Sequence, residues 1–505
     1  MKRLKKLLAA SAVAVIASAT GAFAQGELRI GLGDDPGSLD PAMNASFVGR
    51  VSLQSVCDKL VDIDPKGTVI PMLAKSWTWS ADGKGLTFLL REDVVFHDGE
   101  PLDAESVRYN LDRFLTLQGS RRRPELALID KMEVKGKYEI HLALKQPSVS
   151  FLVNLTDRAG MMVSRKAVES MSPADFGAKP VCAGPYSVAE YKPQQTLTLT
   201  KFPRHWRAGE FHFDRLVFAA VPDSNIRLLN LRAGSLDLIE QVAPSSLPSI
   251  ERDPTLKISV GEQPAFTAIF FNLTGPNANP DFAKHAAVRE AFAMAIDRKA
   301  LNDVVFGGRY FTGNQPFPPG SFWYNDEFPV KPRDVAGARA KLREVGLSSA
   351  SLELLVSTNP EEQEVGQVLQ AMAREAGINL TVKPMEFIAM RNQAAQGNFQ
   401  AYMVPSAGRV DPDLNISLMI ACGVANNVGK YCSSELDGLL AQARAIADPD
   451  RRRPLYKQAV AVLMRDLPIL YLFNQRSAFA HKATVNGFTP YPDGIIRLQG
   501  VRRAG

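Results

Sequence analysis

Residues 351–382 read SLELLVSTNPEEQEVGQVLQAMAREAGINLTV, and this stretch decides the fold class. Ser351–Val356 is an apolar run of strand length. Asn359 follows, a residue that caps helices, with Pro360 at the first helical position, where its missing N–H is no loss. Val365, Val368, Leu369 and Met372 then recur at helical spacing and give one apolar stripe. Gly377 ends the helix, and Ile378, Leu380 and Val382 alternate as a second strand. A strand, a helix and a strand of this length predict a βαβ unit with parallel strands and a right-handed crossover.

Working outward, helical periodicity predicts helices at about 286–296, 334–345, 433–446 and 451–465 around that unit. The first half of the chain has a different character. Glu27-Leu28-Arg29-Ile30-Gly31-Leu32 alternates as a strand, as do residues 86–96, 137–146 and 195–201. His97-Asp98-Gly99-Glu100 makes a turn, and Asp103 is placed to cap a helix through Val107, Leu111 and Phe114. The chain therefore reads as an α/β lobe following a strand-rich lobe. It has no internal repeat and no low-complexity linker, so the lobes must join through short ordered segments of the kind hinges use.

The N-terminus gives an address. Lys2, Arg3, Lys5 and Lys6 precede an apolar run from Leu7 to Ala19, and Ala22-Phe23-Ala24 offers small residues for cleavage before Gln25. This is the layout of a secretory signal over residues 1–24. The run falls short of the roughly 20 apolar residues that span a bilayer, and no cysteine sits at the cleavage point for a lipid. The expectation is a soluble, exported, periplasmic protein.

Of 505 residues, 46% are hydrophobic and 22% charged, an ordinary globular balance with material for two or three domains. The formal net charge is +6, but the signal carries four positive charges and no acid, so the remainder is near +2. That gives little support for nucleic-acid binding. The basic runs Arg121-Arg122-Arg123 and Arg451-Arg452-Arg453 read as solvated helix ends or loops.

The four cysteines fit an oxidising compartment. Cys422 and Cys432 flank a Gly/Asn-rich loop and are paired here, which leaves Cys57 and Cys182 for each other. The alternative, a metal site, lacks both two-residue Cys spacing and a neighbouring His. Catalytic signatures are missing too. There is no Gly-x-Ser-x-Gly, no Gly-Lys-Ser/Thr phosphate loop and no His-Glu-x-x-His. Gly31-Leu32-Gly33-Asp34-Asp35-Pro36 mimics a dinucleotide loop, but Pro36 stands where its third glycine belongs and removes a backbone donor. The six histidines, His97, His141, His205, His212, His285 and His481, form no ligand pattern. No catalytic residue, cofactor or metal is expected, and binding is the work that remains.

One set of segments is specific in combination. Leu73-Ala74-Lys75-Ser76-Trp77, Asp82-Gly83-Lys84, Leu86-Thr87-Phe88-Leu89-Leu90-Arg91 and Val95-Phe96-His97-Asp98-Gly99-Glu100-Pro101 together resemble the signature of the extracellular solute-binding proteins, family 5. These are the oligopeptide-, dipeptide- and nickel-binding proteins of ABC importers. Cys57–Asp62, Cys182-Ala183-Gly184-Pro185-Tyr186, Arg227 to Asp237 and Val288 to Arg298 resemble further blocks of that family, so the resemblance covers nearly the whole mature chain.

The resemblance implies a two-lobed periplasmic binding protein fold of the large type II class, with two crossing hinge strands. Lobe I would comprise 25–268 and 478–505, with an inserted subdomain at about 45–180, and lobe II 269–477. Ligand would sit in the cleft. The loop Pro405 to Asp413 corresponds to one that enters the family's cleft, where peptide binders carry an acid for the α-ammonium. Here that neighbourhood offers Arg409, with Asp411 and Asp413 following, and the family's Trp is lacking near Ser406. An arginine fork suits a carboxylate; its structural alternative is an ion pair with Asp411 or another lobe carboxylate that only orders the loop.

Phe266 and Thr267, before the crossover Ile269–Asn272, and Ser38, in the segment Asp34 to Asp40, are the other cleft candidates. His97 is assigned to structure. The expected function is capture of a peptide-like, carboxylate-bearing solute by a monomeric protein that closes about a hinge and delivers it to the permease subunits of an ABC importer. The rivals are a same-family binder of an opine, glutathione-like, sugar, nickel or haem ligand, and a periplasmic hydrolase or chaperone.

Overall fold

The computed structural model describes residues 26–504 apart from 407 and 425, so the signal expected over 1–24 lies outside the described residues. The βαβ unit forms as its sequence predicts. Ala350–Ser357 and Ile378–Met385 pair in parallel, joined by helix Pro360–Glu375. The Asn359 side chain accepts from the N–H groups of Glu361 and Glu362, and Gly377 takes the left-handed position (φ +84°) that stops the helix. Val365, Leu369 and Ala373 are buried against the strands, with Val368 and Met372 partly so.

That unit occupies one edge of a sheet that runs through the molecule. In spatial order it contains Ile378–Met385, Ala350–Ser357, Ala401–Ser406, Leu256–Phe271, Ile469–Lys482, Leu238–Ile239, Glu27–Leu32, Arg215–Ala220, Thr196–Lys201 and Tyr186–Lys192. Continuity rests on two long antiparallel strands, Leu256–Phe271 and Ile469–Lys482. Their pairing is regular from Leu256↔Lys482 to Glu262↔Arg476, shifts register, and resumes at Phe266↔Asn474. Among the described residues, Leu238–Ile239 joins the pair on one side of that shift, and Ala401–Ser406 and the short strand Phe311–Thr312 join it on the other.

The apolar cores divide at the same place. Three clusters draw on Leu28 to Leu256 and Phe479 to Val501, and two draw on Phe266 to Phe473. A four-stranded sheet, Ala74–Trp79, Gly85–Leu90, Glu139–Leu144 and Ile129–Gly136, forms a unit with its own core, covered by helix Ala104–Thr116. Asp103 and Ser106 close a capping box at the start of that helix. The alternation read over 86–96 ends as a strand at Leu90, because residues 91–101 fold back, bridging Val95 to Pro101.

Both expected disulfides are present, Cys57–Cys182 and Cys422–Cys432. His97 explains why the signature turn is tied to the first of them. Its Nδ1 accepts from the Cys182 N–H (3.3 Å) and its Nε2 donates to Gly184 O (3.0 Å), which fixes a neutral ring. Burial pushes its pKa down to about 4.

The two basic runs are not wholly solvated, which corrects the sequence reading. Arg122 and Arg452, the middle residue of each run, are buried. Arg122 pairs with Glu125 (2.6 Å) and Arg452 with Asp411 (2.8 Å), because one position in three of each run faces inward. Among the described residues no helix is long and apolar enough to cross a membrane.

Leu238–Ile239 leads into Glu240, at the carboxyl ends of the parallel strands Glu27–Leu32 and Leu238–Ile239. Glu240 is 1% exposed. Its Oε1 accepts from the Gly33 N–H (3.0 Å) and its Oε2 has no partner among the described residues. Burial raises its pKa to about 7, against the opposing pull of the Gly33 hydrogen bond and Arg227. The folded state thus holds a proton that the unfolded state releases near pH 4.5, so the carboxylate's cost is absent below that pH and complete above about 7. Glu240→Gln should therefore stabilise the fold by about 1–3 kcal/mol at pH 8 and much less at pH 4.5. Urea midpoints of the two proteins at both pH values check this; a gain independent of pH would refute it.

Candidate functional site

Arg409 follows strand Ala401–Ser406 and precedes helix Pro412–Ile420. Its backbone is clamped by Asn415, whose Oδ1 accepts from the Arg409 N–H and whose Nδ2 donates to Arg409 O, each at 2.6 Å. Gly408, beside it, has φ +52°, and a Cβ there would stand 2.2 Å from Pro264 O and 2.7 Å from Ala265 N. The loop thus rests on the backbone of the first crossing strand where its pairing shifts.

The Arg409 side chain reaches across to the other half of the molecule. Its Nη1 donates to Asp157 Oδ2 at 3.2 Å. The same oxygen lies 2.9 Å from Arg50 Nε, and Asp157 Oδ1 lies 3.4 Å from Arg158 Nε. Helix Phe47–Val56 presents Arg50, and the short turn Arg158–Gly160, which Asp157 caps, presents the carboxylate. Burial alone would raise the Asp157 carboxyl, but Arg50, Arg158 and Arg409 outweigh it and hold the group well below the usual carboxylate range. Burial likewise lowers Arg158 to about 10.

Between the halves lies a cavity of about 70 Å³, with Arg50, Glu125, Asn154, Asp157, Gly408 and Arg409 in its wall and Leu414 and Leu418 on its apolar side. A cavity of this size is well below the roughly 300 Å³ of a small-molecule pocket. The two halves also touch directly where Ser150 Oγ donates to Asp413 Oδ2 (3.3 Å) and the Val149 N–H donates to Arg444 O (2.9 Å). Room for a solute therefore requires the halves to part.

The other residues named from sequence lie elsewhere. Asp411 is 7% exposed and takes a two-pronged ion pair from Arg452 (2.8 and 3.0 Å), so it anchors the helix start instead of pairing with Arg409. Phe266 is fully buried and meets Tyr471 edge-on at 5.0 Å. Thr267 is buried and its Oγ1 accepts from Gln475 Nε2 (3.2 Å). Ser406 is buried at the strand end opposite Phe266. Ser38 is exposed, its Oγ accepting from the Asp40 N–H (3.3 Å) beside Gly177. Only Arg409 of this set lines the cavity.

Arg50 and Asp157 were missed, yet each leaves a signal. Arg50 is the sole charge between Phe47 and Cys57, and Asp157-Arg158 are the sole charges between Pro147 and Ser164. A charge isolated in an apolar stretch must be paired or face a cavity. Among the described residues no group of three His, Cys, Asp or Glu is placed to hold a metal ion.

Comparison with known proteins agrees with this architecture. The chain is 28% identical over 502 residues to the glutathione-binding protein GsiB of Salmonella paratyphi A, covering 97% of this chain and 96% of the relative. It is 27% identical over 483 residues to the probable di/tripeptide-binding protein 5 of Pseudomonas aeruginosa, covering 89% and 90%. The solved structure of the periplasmic binding protein AgaA of A. tumefacien, in complex with agropinic acid, superposes with a TM-score of 0.80 at 25% identity, covering 95% and 99%. The family described as bacterial extracellular solute-binding proteins, family 5 (middle) matches residues 68–427, so this chain, with its two halves joined by crossing strands, belongs to the family 5 extracellular solute-binding proteins.

Proposed function

We propose that this protein captures a peptide-like, carboxylate-bearing solute in the cleft between its halves and hands it unchanged to the permease of an ABC importer. The observation that carries the reading is the Arg409–Asp157 contact, in which a cation and an anion from opposite halves meet in the wall of one cavity. Such a pair can exchange its internal partner for a ligand's, so that closure and capture are one event. The relatives named for di/tripeptides, glutathione and agropinic acid support a small solute with acidic groups.

On this reading the hinge is the register shift at Glu262–Phe266 and Asn474–Arg476, so lobe I ends a few residues before 268 and Phe266 packs with lobe II. The protein acts as a monomer in the periplasm after loss of residues 1–24, binds no nucleic acid and catalyses no reaction. The first test is mass spectrometry of what co-purifies with the exported protein and is released on denaturation. A discrete peptide or amino-acid derivative supports the reading; a mixture of unfolded protein fragments would favour a chaperone.

Arg409→Ala should then weaken binding of that solute by about 1.5–3 kcal/mol, the range of a charge-assisted hydrogen bond. Titration calorimetry on the two proteins reads it, and an unchanged affinity with the fold intact would remove Arg409 from the site.

A further inference from the structure

The charges around the cavity do not balance. Four guanidiniums gather there: Arg50, Arg122, Arg158 and Arg409. Two carboxylates answer them. Asp157 is shared among Arg50, Arg158 and Arg409, and Glu125 is held by Arg122 at 2.6 Å. Two positive charges are left over. Asp493 also lines the cavity but changes nothing, because Arg497 takes it at 2.8 Å and completes a neutral group of four with Asp62 and Lys59.

The four arginines are not equally placed. Arg122 and Arg158 spend their terminal nitrogens on the fold: Arg122 Nη2 donates to Asn44 O, and Arg158 Nη1 to Asn44 O, Asn44 Oδ1 and Ser46 O. Arg50 and Arg409 do not. Among the described residues, no hydrogen-bond acceptor meets the terminal nitrogens of Arg50, and Arg409 uses only Nη1, on Asp157. Arg50 is 7% exposed and lines the cavity, so its terminal nitrogens are left there without a protein acceptor. One such arginine comes from each half, and both point at a single oxygen.

Resting on the reading of the cleft as a solute site, we propose that the solute carries two carboxylates, one received by Arg50 and the other by Arg409. Two acidic groups would cancel the two unmatched charges, and each would meet a planar fork that can donate two parallel hydrogen bonds. A zwitterion with one carboxylate would leave one arginine unanswered and would bring an ammonium into a positive cavity, where like charges repel.

The experiment is a calorimetric titration of the mature protein with two matched pairs of probes. One pair is N-acetyl-L-alanyl-L-glutamate and N-acetyl-L-alanyl-L-glutamine; the other is N-succinyl-L-alanine and its succinamoyl analogue. Within each pair the shape is kept and one carboxylate becomes a carboxamide. The acid of each pair should bind about tenfold tighter or more. That ratio should fall towards one in Arg50→Gln or in Arg409→Gln, according to which arginine receives the altered carboxylate, and be partly kept in the matching lysine variant. Because the readout is a ratio within one protein, a general loss of folded material drops out of it. If the amides bind as tightly as the acids, or if Arg50→Gln and Arg409→Gln both keep the full ratio, the two-carboxylate proposal is overturned while the solute-binding reading stands. If none of the four probes binds, a peptide-like solute is itself overturned and the proposal goes with it.

Discussion

Cys57→Ala combined with Cys182→Ala is expected to destabilise the oxidised protein by about 3–5 kcal/mol, and Cys422→Ala with Cys432→Ala by about 2 kcal/mol less. The difference follows from the chain each bridge closes. The first spans 125 residues and the second 10. A cross-link removes freedom from the unfolded chain in proportion to the logarithm of the loop it closes. The folded state gives the long bridge little else to do. Gly184 N–H already donates to Val56 O (3.0 Å), and His97 N–H to Cys182 O (2.8 Å), so the segments stay in place without the sulfur bond. Both cysteines of the long bridge are fully buried, and alanine leaves no unsatisfied polar atom there. Urea unfolding of the two double variants in one buffer decides the matter. Equal losses, or a larger loss for the short loop, would show that native contacts and not loop closure set the effect.

The second large effect is expected at Arg452. Arg452→Met should cost about 3–5 kcal/mol, because it strands the Asp411 carboxylate in the interior. Arg452 and Asp411 are 5% and 7% exposed and joined by two hydrogen bonds, and Arg452 also donates to Tyr456 Oη (2.9 Å). Adding Asp411→Leu should recover much of the loss, since an apolar pair of similar volume removes both charges together. Recovery will be incomplete, because Asp411 also caps helix Pro412–Ile420 by accepting from the Asp413 N–H (2.9 Å). The loss for Arg452→Met alone, read from denaturant midpoints, should greatly exceed that for the exposed neighbour Arg451→Met. Similar losses would mean the buried pair contributes no more than a surface arginine.

Local signals in the sequence specified much of the fold. The βαβ unit was legible because cap, stripe and stop agree over 359–377 and tertiary packing had nothing to override. The disulfides were legible because Cys422 and Cys432 left a single partner for each of the others. The continuous sheet was not. Its backbone pairs Phe266 with Ser406 and Asn474, positions 140 and 208 residues away, and no local pattern carries such a register. The site was half legible. Arg409 was visible as a departure from an acid, whereas Arg50 and Asp157 come from distant segments and meet it only through the docking of one half on the other. Phe266 and Asp411 lie outside the cavity wall for a shared reason. An aromatic and a carboxylate near a cleft serve equally as core and anchor, and only the partners Tyr471 and Arg452 tell which.

Gly408 seats the arginine-bearing loop on Pro264 and Ala265, in the stretch between Glu262 and Phe266 where the pairing of the crossing strands shifts. The consequence is evolutionary. On the proposed function, the chemical choice of cargo would sit at position 409, whose side chain lines the cavity, and the seating of its loop at 408, where no side chain fits. Cargo preference would then drift by substitution at one codon while its neighbour stays fixed by the bearing surface beneath it, so new specificities would arise without rebuilding the rest of the fold.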